Sequence, residues 1–365
     1  MIAAARPIQR PGDAKLLVIN RDGRISHGLR SDFGRLLRAG DLIVANDAAT
    51  MPASLKGTHQ PSGEPIEVRL AGRHSVGAYD VQEFSAVVFG AGDFHTPTEF
   101  RPAPPNISAG DRLVLGPLLA TVEHTLGHPR LIELRFDGTP DSIWAGIARH
   151  GRPIQYAYVP MALEVWDVWS PIAGPPVAFE PPSAGFALDW RAVADLRARG
   201  VRFATITHAA GISSTGDADL DRRLPLDEPY RIPESTAEAI ELALGRGGRI
   251  IAIGTTVVRA LEDAAGWDGR VRPGDGLARQ RIGSATRLRV VDAILSGTHE
   301  PGTSHFELLR AFADDATLER ASQELEVREY KTHEFGDSVL IEKSKCVPLA
   351  GGSDGGSGRP AARAH

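Results

Sequence analysis

The chain has 365 residues, 42% hydrophobic and 24% charged, with a net charge of −5; this globular composition excludes disorder over most of its length, and at roughly 100–200 residues per domain it suggests two domains. A single cysteine, Cys346, excludes a disulfide framework and a cysteine-rich zinc site within one chain. No run of roughly 18 apolar residues is present and MIAAARPIQR is no signal peptide, so the expectation is a cytoplasmic protein with no membrane partner, whose total charge shows no strongly basic nucleic-acid surface.

In chain order, AKLLVI (14–19) predicts a first strand and DLIVA (41–45) a second, with a short helix from Asp32 to Arg38 between them and Gly40 past its end. From about 53 to 150 the texture changes. IEVRL (66–70), FSAVVF (84–89), RLVLG (112–116), ATVEHTL (120–126) and LIELRF (131–136) are short strand-like runs punctuated by Gly, Pro and Asn, the pattern of a small barrel or sandwich. The Pro-rich GRPIQYAYVP (151–160) marks the exit from it. Asp189 then caps a helix to Arg199, and VRFATITH (201–208) is a strand ending in a histidine. Pro233 to Gly245 is a helix, with Ser235 and Glu238 at capping-box spacing. RIIAIGT (249–255) is a buried strand, TVVRALEDAA (256–265) a helix and LRVVDAIL (288–295) a strand. Ser304 and Glu307 open a helix to Phe312, ATLERASQELEVREY (316–330) is helical, and DSVLIE (337–342) is the last strand. The Gly/Ser-rich tail, 346–365, is expected to be disordered. The fold class is therefore α/β: a large domain of residues 1–52 and 152–345, with a β-domain of residues 53–151 inserted into it.

Ligands of open α/β sheets bind where strands end and helices begin, and several such places carry candidate chemistry. In RIIAIGTTVVRALE the apolar strand runs into Gly254-Thr255-Thr256 and a helix start, whose free N–H groups and hydroxyls can hold a carboxylate or phosphate, with Arg259 one turn on. Plain threonine capping explains the same pattern. LSGTHEPGTSHFELL places His299, Glu300 and His305 in a loop between strand and helix, where a histidine beside a glutamate suits acid–base work near neutral pH, or is merely an exposed polar loop. His208 ends a strand before a small-residue loop, as a catalytic group or as a buried structural histidine. Ser183 and Ala184 lie in a Pro/Gly turn that can line a pocket. Asn46-Asp47 end a strand, where Asp47 binds a hydroxyl or amine, or forms an Asx-turn. No HExxH, P-loop or GxSxG is present, and no metal is expected.

Taken in this order, six segments resemble the S-adenosylmethionine:tRNA ribosyltransferase-isomerase family of queuosine biosynthesis: GDLIVANDAATMPASLKG, HGRPIQYAYVP, PPSAGFALDW, GGRIIAIGTTVVRALE, RVVDAILSGTHEPGTSHFELLRAFA and EFGDSVLI, spread over residues 14–342. The resemblance implies a large mixed-sheet α/β domain with an inserted β-barrel. It implies transfer of the ribosyl part of S-adenosylmethionine, as co-substrate, to the aminomethyl group of a 7-deazaguanine in tRNA. Adenine and methionine leave, the sugar rearranges, and no metal takes part. On that footing the expected catalytic residues are His208, His299 and Glu300. The expected S-adenosylmethionine contacts are Gly254, Thr255, Thr256, Arg259, Ser183 and Gly185. The expected acceptor contacts are Asn46, Asp47, Arg152, Tyr158 and Asp337.

The chain departs from the family pattern. A family histidine is Ala187 here, and the threonine after it is Asp189. Gly297, Thr298, Glu300 and Gly302 replace Asn, Phe, Leu and Lys around His299, VWDVW (165–169) replaces a Tyr-Gln-Thr-Val-Tyr stretch, and Ala48-Ala49 replace a Thr-Arg pair. These changes point to a divergent member. They leave open a transferase or lyase that uses S-adenosylmethionine on a small-molecule or nucleoside acceptor, and a binding protein without turnover.

Overall fold

A computed structural model describes residues 2–344; the expected disorder of 346–365 lies outside them. Its large sheet has nine strands, in the spatial order Gly274–Ala278, Glu228–Ile232, Arg202–His208, Leu42–Asn46, Ile250–Ile253, Ala293–Gly297, Ser338–Glu342, Lys15–Ile19 and Ile25–Leu29. The middle four, from Arg202–His208 to Ala293–Gly297, are parallel; both flanks contain antiparallel pairs, so the sheet is mixed. Leu42–Asn46, inside this parallel group, is buried at every position. Its unbroken apolar run suits a strand covered on both faces. Leu42, Val44, Ile250 and Ala252 pack into one core layer, and Ile43, Ala45, Ile251 and Ile253 into the other.

The inserted β-domain is a closed six-stranded antiparallel barrel, in the order Leu118–His128, Leu131–Phe136, Glu83–Phe89, Pro65–Gly72, Ser54–His59 and Arg112–Leu115. Closure removes the exposed sheet edges that a sandwich would leave. A helix, Pro140–His150, packs on it, burying Ile143 and Ile147 with the barrel core. Gly146 sits so close to Leu118 that a Cβ would lie 2.3 Å from it. Phe179, Ile212, Leu220 and Leu224, from loops of the large sheet, join the same core and fix the barrel against the sheet's carboxyl edge.

Several local expectations are corrected. The helix of Asp32–Arg38 is a 3-10 helix, Arg30–Leu36. Pro233, not a Ser235 capping box, precedes the helix Glu234–Gly245. Thr303, not Ser304, caps Ser304–Leu309 by accepting from the Phe306 amide. The strand expected from 288 begins at Ala293, because the Glu262 carboxylate accepts the amides of Arg289, Val290 and Val291 and holds that stretch off the sheet. Among the described residues no helix is long and apolar enough to cross a membrane.

Candidate active site

The four parallel strands end on one edge, at His208, Asn46, Ile253 and Gly297. Beyond Ile253 the chain turns through Gly254, whose φ of 92° and ψ of 159° suit glycine alone, into the helix Thr255–Ala264. No side chain caps that helix, so its first amides remain available. Ser183 and Ala184 face this turn, and a Cβ on Gly254 would stand 3.4 Å from that of Ala184.

Gly254, Thr255 and Thr256 form part of the wall of a cavity of about 280 Å³, closed elsewhere by Ser183, Ser296, His299 and His305. A second cavity, about 540 Å³, lies against it between Tyr158, Glu300, His333 and the barrel residues Thr98 and Glu99. Glu180, Pro181, Ser183, His299 and His305 line both. His299 stacks on His305 with ring centroids 4.7 Å apart, and its Nε2 is 3.0 Å from Ser296 Oγ. Burial, then the neighbouring histidines His305 and His333, hold His299 well below the usual histidine range; burial and Arg259 lower His305 to about 4. Both rings are neutral at pH 7.

Glu180, absent from the residues singled out above, is a carboxyl strongly changed by its surroundings. Burial and the nearby Glu334 charge raise its carboxyl to about 7, against the hydroxyl that Tyr156 donates to it. Nothing local in EPPSAGF announces this, since its partners lie some distance away in sequence. His305, named with His299 in the same loop but not among the expected catalytic residues, lines both cavities beside it.

Other expected site residues have structural work. Arg259 does not offer a free cation to a ligand: it pairs with buried Glu228 and donates to the Leu226 and Ala278 carbonyls. His208 is fully buried and does not line the cavity; its Nε2 is 3.6 Å from Glu228, which does. Burial and Arg259 push its pKa well below the ordinary value. Asn46 ties strand ends together, donating to the His208 carbonyl and Thr256 Oγ1 and accepting the His208 and Ala48 amides. Asp47 accepts from Thr207 Oγ1 at 2.7 Å, and burial raises its carboxyl. Asp337 accepts the Lys15 and Lys331 amides at 2.6 and 2.8 Å and bolts two segments together away from both cavities. Arg152 is exposed and 4.0 Å from Glu164, and Gly185 is buried behind the turn against Ser170. Of the departures from the family pattern, Gly297, Thr298, Glu300 and Gly302 line the cavities, whereas Ala187 packs against the core and Asp189 caps a helix. Among the described residues no three His, Cys, Asp or Glu side chains come together as a metal site.

The model of a family described as queuosine biosynthesis protein matches residues 1–341. The S-adenosylmethionine:tRNA ribosyltransferase-isomerase of Citrifermentans bemidjiense is 31% identical over 349 residues, covering 93% of this chain and 96% of its own. The enzyme of the same name from Symbiobacterium thermophilum is 28% identical over 345 residues, with 93% and 96% covered. The solved structure of S-adenosylmethionine tRNA ribosyltransferase from Thermotoga maritima aligns with a TM-score of 0.49 at 23% identity, covering 93% of this chain and 96% of that one.

Proposed function

Because this chain belongs to the queuosine biosynthesis protein family, we propose that it is a ribosyltransferase-isomerase, working in the cytoplasm on S-adenosylmethionine and tRNA. It moves the ribosyl part of S-adenosylmethionine to the aminomethyl group of a 7-deazaguanine in tRNA, with loss of adenine and methionine. The observation that carries this reading is the wall shared by two cavities, where His299, His305 and Glu180 stand between a carboxylate-binding turn and a second compartment. Two reactants need two seats and a reactive wall between them.

The uncapped start of Thr255–Ala264, with the Thr255 and Thr256 hydroxyls, takes the carboxylate of S-adenosylmethionine. Arg259 does not bind it; by neutralising Glu228 it keeps a buried carboxylate from repelling that anion. His299, held through Nε2 by Ser296, keeps its other ring nitrogen for the departing adenine. Enclosure by the barrel limits water at the activated sugar. The sulfonium acidifies C5′, and a neutral base on the shared wall removes that proton.

Incubation of the full chain with S-adenosylmethionine and unmodified or 7-aminomethyl-7-deazaguanine tRNA, followed by chromatography, tests this. Adenine and methionine released only with the deazaguanine tRNA are expected. Release of S-adenosylhomocysteine, or no turnover with that tRNA, overturns the reading.

A further inference from the structure

We propose that the 540 Å³ cavity is the seat of the acceptor's protonated amine, held between Glu180 and Glu334 with its flat ring against Tyr158 and His333, and that Glu180 takes the amine's proton. This rests on the transfer reaction above and assigns its second compartment.

Four glutamates line this cavity, Glu99, Glu180, Glu300 and Glu334, and no lysine or arginine does. Two of the carboxylates already accept a tyrosine hydroxyl, Glu180 from Tyr156 and Glu334 from Tyr158, which orients them and leaves further lone pairs for a cation. Glu334 repels the charge on buried Glu180, and the largest influences on that carboxyl are burial, this charge and hydrogen bonds from Tyr156 and Ser213 rather than a cation. A positive ligand between them supplies the missing counter-charge.

Independent of the acids, Thr332 lines the same cavity, is 1% exposed, and has a hydroxyl with no hydrogen-bond partner. Such a buried orphan is costly unless a ligand completes it. The aromatic wall fits a planar base: Tyr158 stacks on His333 at 4.1 Å and 15°, and on Tyr156 at 5.9 Å and 14°. His333 holds this position with a φ of 70°, in the left-handed region.

The proton balance is simple. The ammonium nitrogen loses one proton to a Glu180 carboxylate oxygen, the N–H bonding pair stays on nitrogen as its nucleophilic lone pair, and Glu180 becomes a neutral carboxylic acid. Its elevated carboxyl, about 7, suits exchange with an amine at neutral pH.

The test uses the full-length chain with two otherwise identical tRNAs, one bearing 7-aminomethyl-7-deazaguanine and one bearing the uncharged 7-cyano base. Wild type binds the aminomethyl RNA at least about tenfold more tightly, and Glu334→Gln removes most of that preference without changing the Kd for S-adenosylmethionine. Glu180→Gln lowers kcat by about 100-fold and removes an ionisation near pH 7 from the rate profile. Equal binding of the two RNAs by wild type overturns the inference, and that comparison needs no variant to fold. Retained kcat and pH profile in Glu180→Gln overturn its role as proton acceptor. Preference for the charged base without adenine release from S-adenosylmethionine refutes the proposed reaction but upholds the cation seat.

Discussion

His299 and His305 stack with their planes 16° apart, and both rings face both cavities. The strand Ala293–Gly297 delivers the first and the Thr303-capped helix Ser304–Leu309 the second, so a six-residue step in sequence becomes a paired wall. Replacing His299 by Ala is expected to cut adenine release by at least about 100-fold while the melting temperature changes little. Full activity of the variant, measured by chromatography, removes His299 from the reaction.

The same pair makes the fold acid-sensitive. His305 titrates near 4 in the folded chain against 6.5 ordinarily, so the unfolded chain binds more protons between those values. Stability is complete above about pH 6.5 and falls as the pH drops toward 4, by roughly 1–3 kcal/mol for a group with partial solvent contact. Urea titrations of wild type and His305→Phe at pH 7 and pH 4.5 check this: the variant should lose less of its stability on acidification. Equal losses contradict it.

Arg259 braces Glu228, so Arg259→Met strands a buried carboxylate and is expected to cost about 3–5 kcal/mol. Adding Glu228→Gln removes the stranded charge and should recover a large part of that loss in urea unfolding. No recovery places the importance of Arg259 elsewhere.

Asp337 gives a contrasting outcome. Its carboxylate is committed to two backbone amides, and Asp337→Ala is expected to lower stability by roughly 2–3 kcal/mol while the KM values for S-adenosylmethionine and tRNA stay as in wild type. A rise in either KM at a temperature where the variant is folded returns Asp337 to the substrate.

What the sequence disclosed depended on how local each signal was. Gly254-Thr255-Thr256 was legible because an apolar strand, a glycine turn and a helix start are contiguous. The α/β alternation and the short punctuated strands of the barrel were legible for the same reason. Asp337 and Arg259 look like ligand-binding charges in isolation; their partners, Lys15 and Lys331 for one and Glu228 for the other, meet them only through the sheet. Glu180 was missed for the converse reason, since its elevated carboxyl arises from burial and the Glu334 charge, against the hydroxyl that Tyr156 donates, and no local pattern reveals any of these. Ala187 looks like a lost catalytic position in the motif; in the fold it is half-buried against the core and lines neither cavity.

The central claim is that the carboxyl-edge cleft holds S-adenosylmethionine against the Gly254–Thr256 turn. A crystal of the full chain soaked with S-adenosylmethionine measures this directly. The account predicts the ligand's carboxylate on the Thr255 and Thr256 amides and hydroxyls, with its adenine beside His299. Ligand bound elsewhere, with that turn open to solvent, would contradict it.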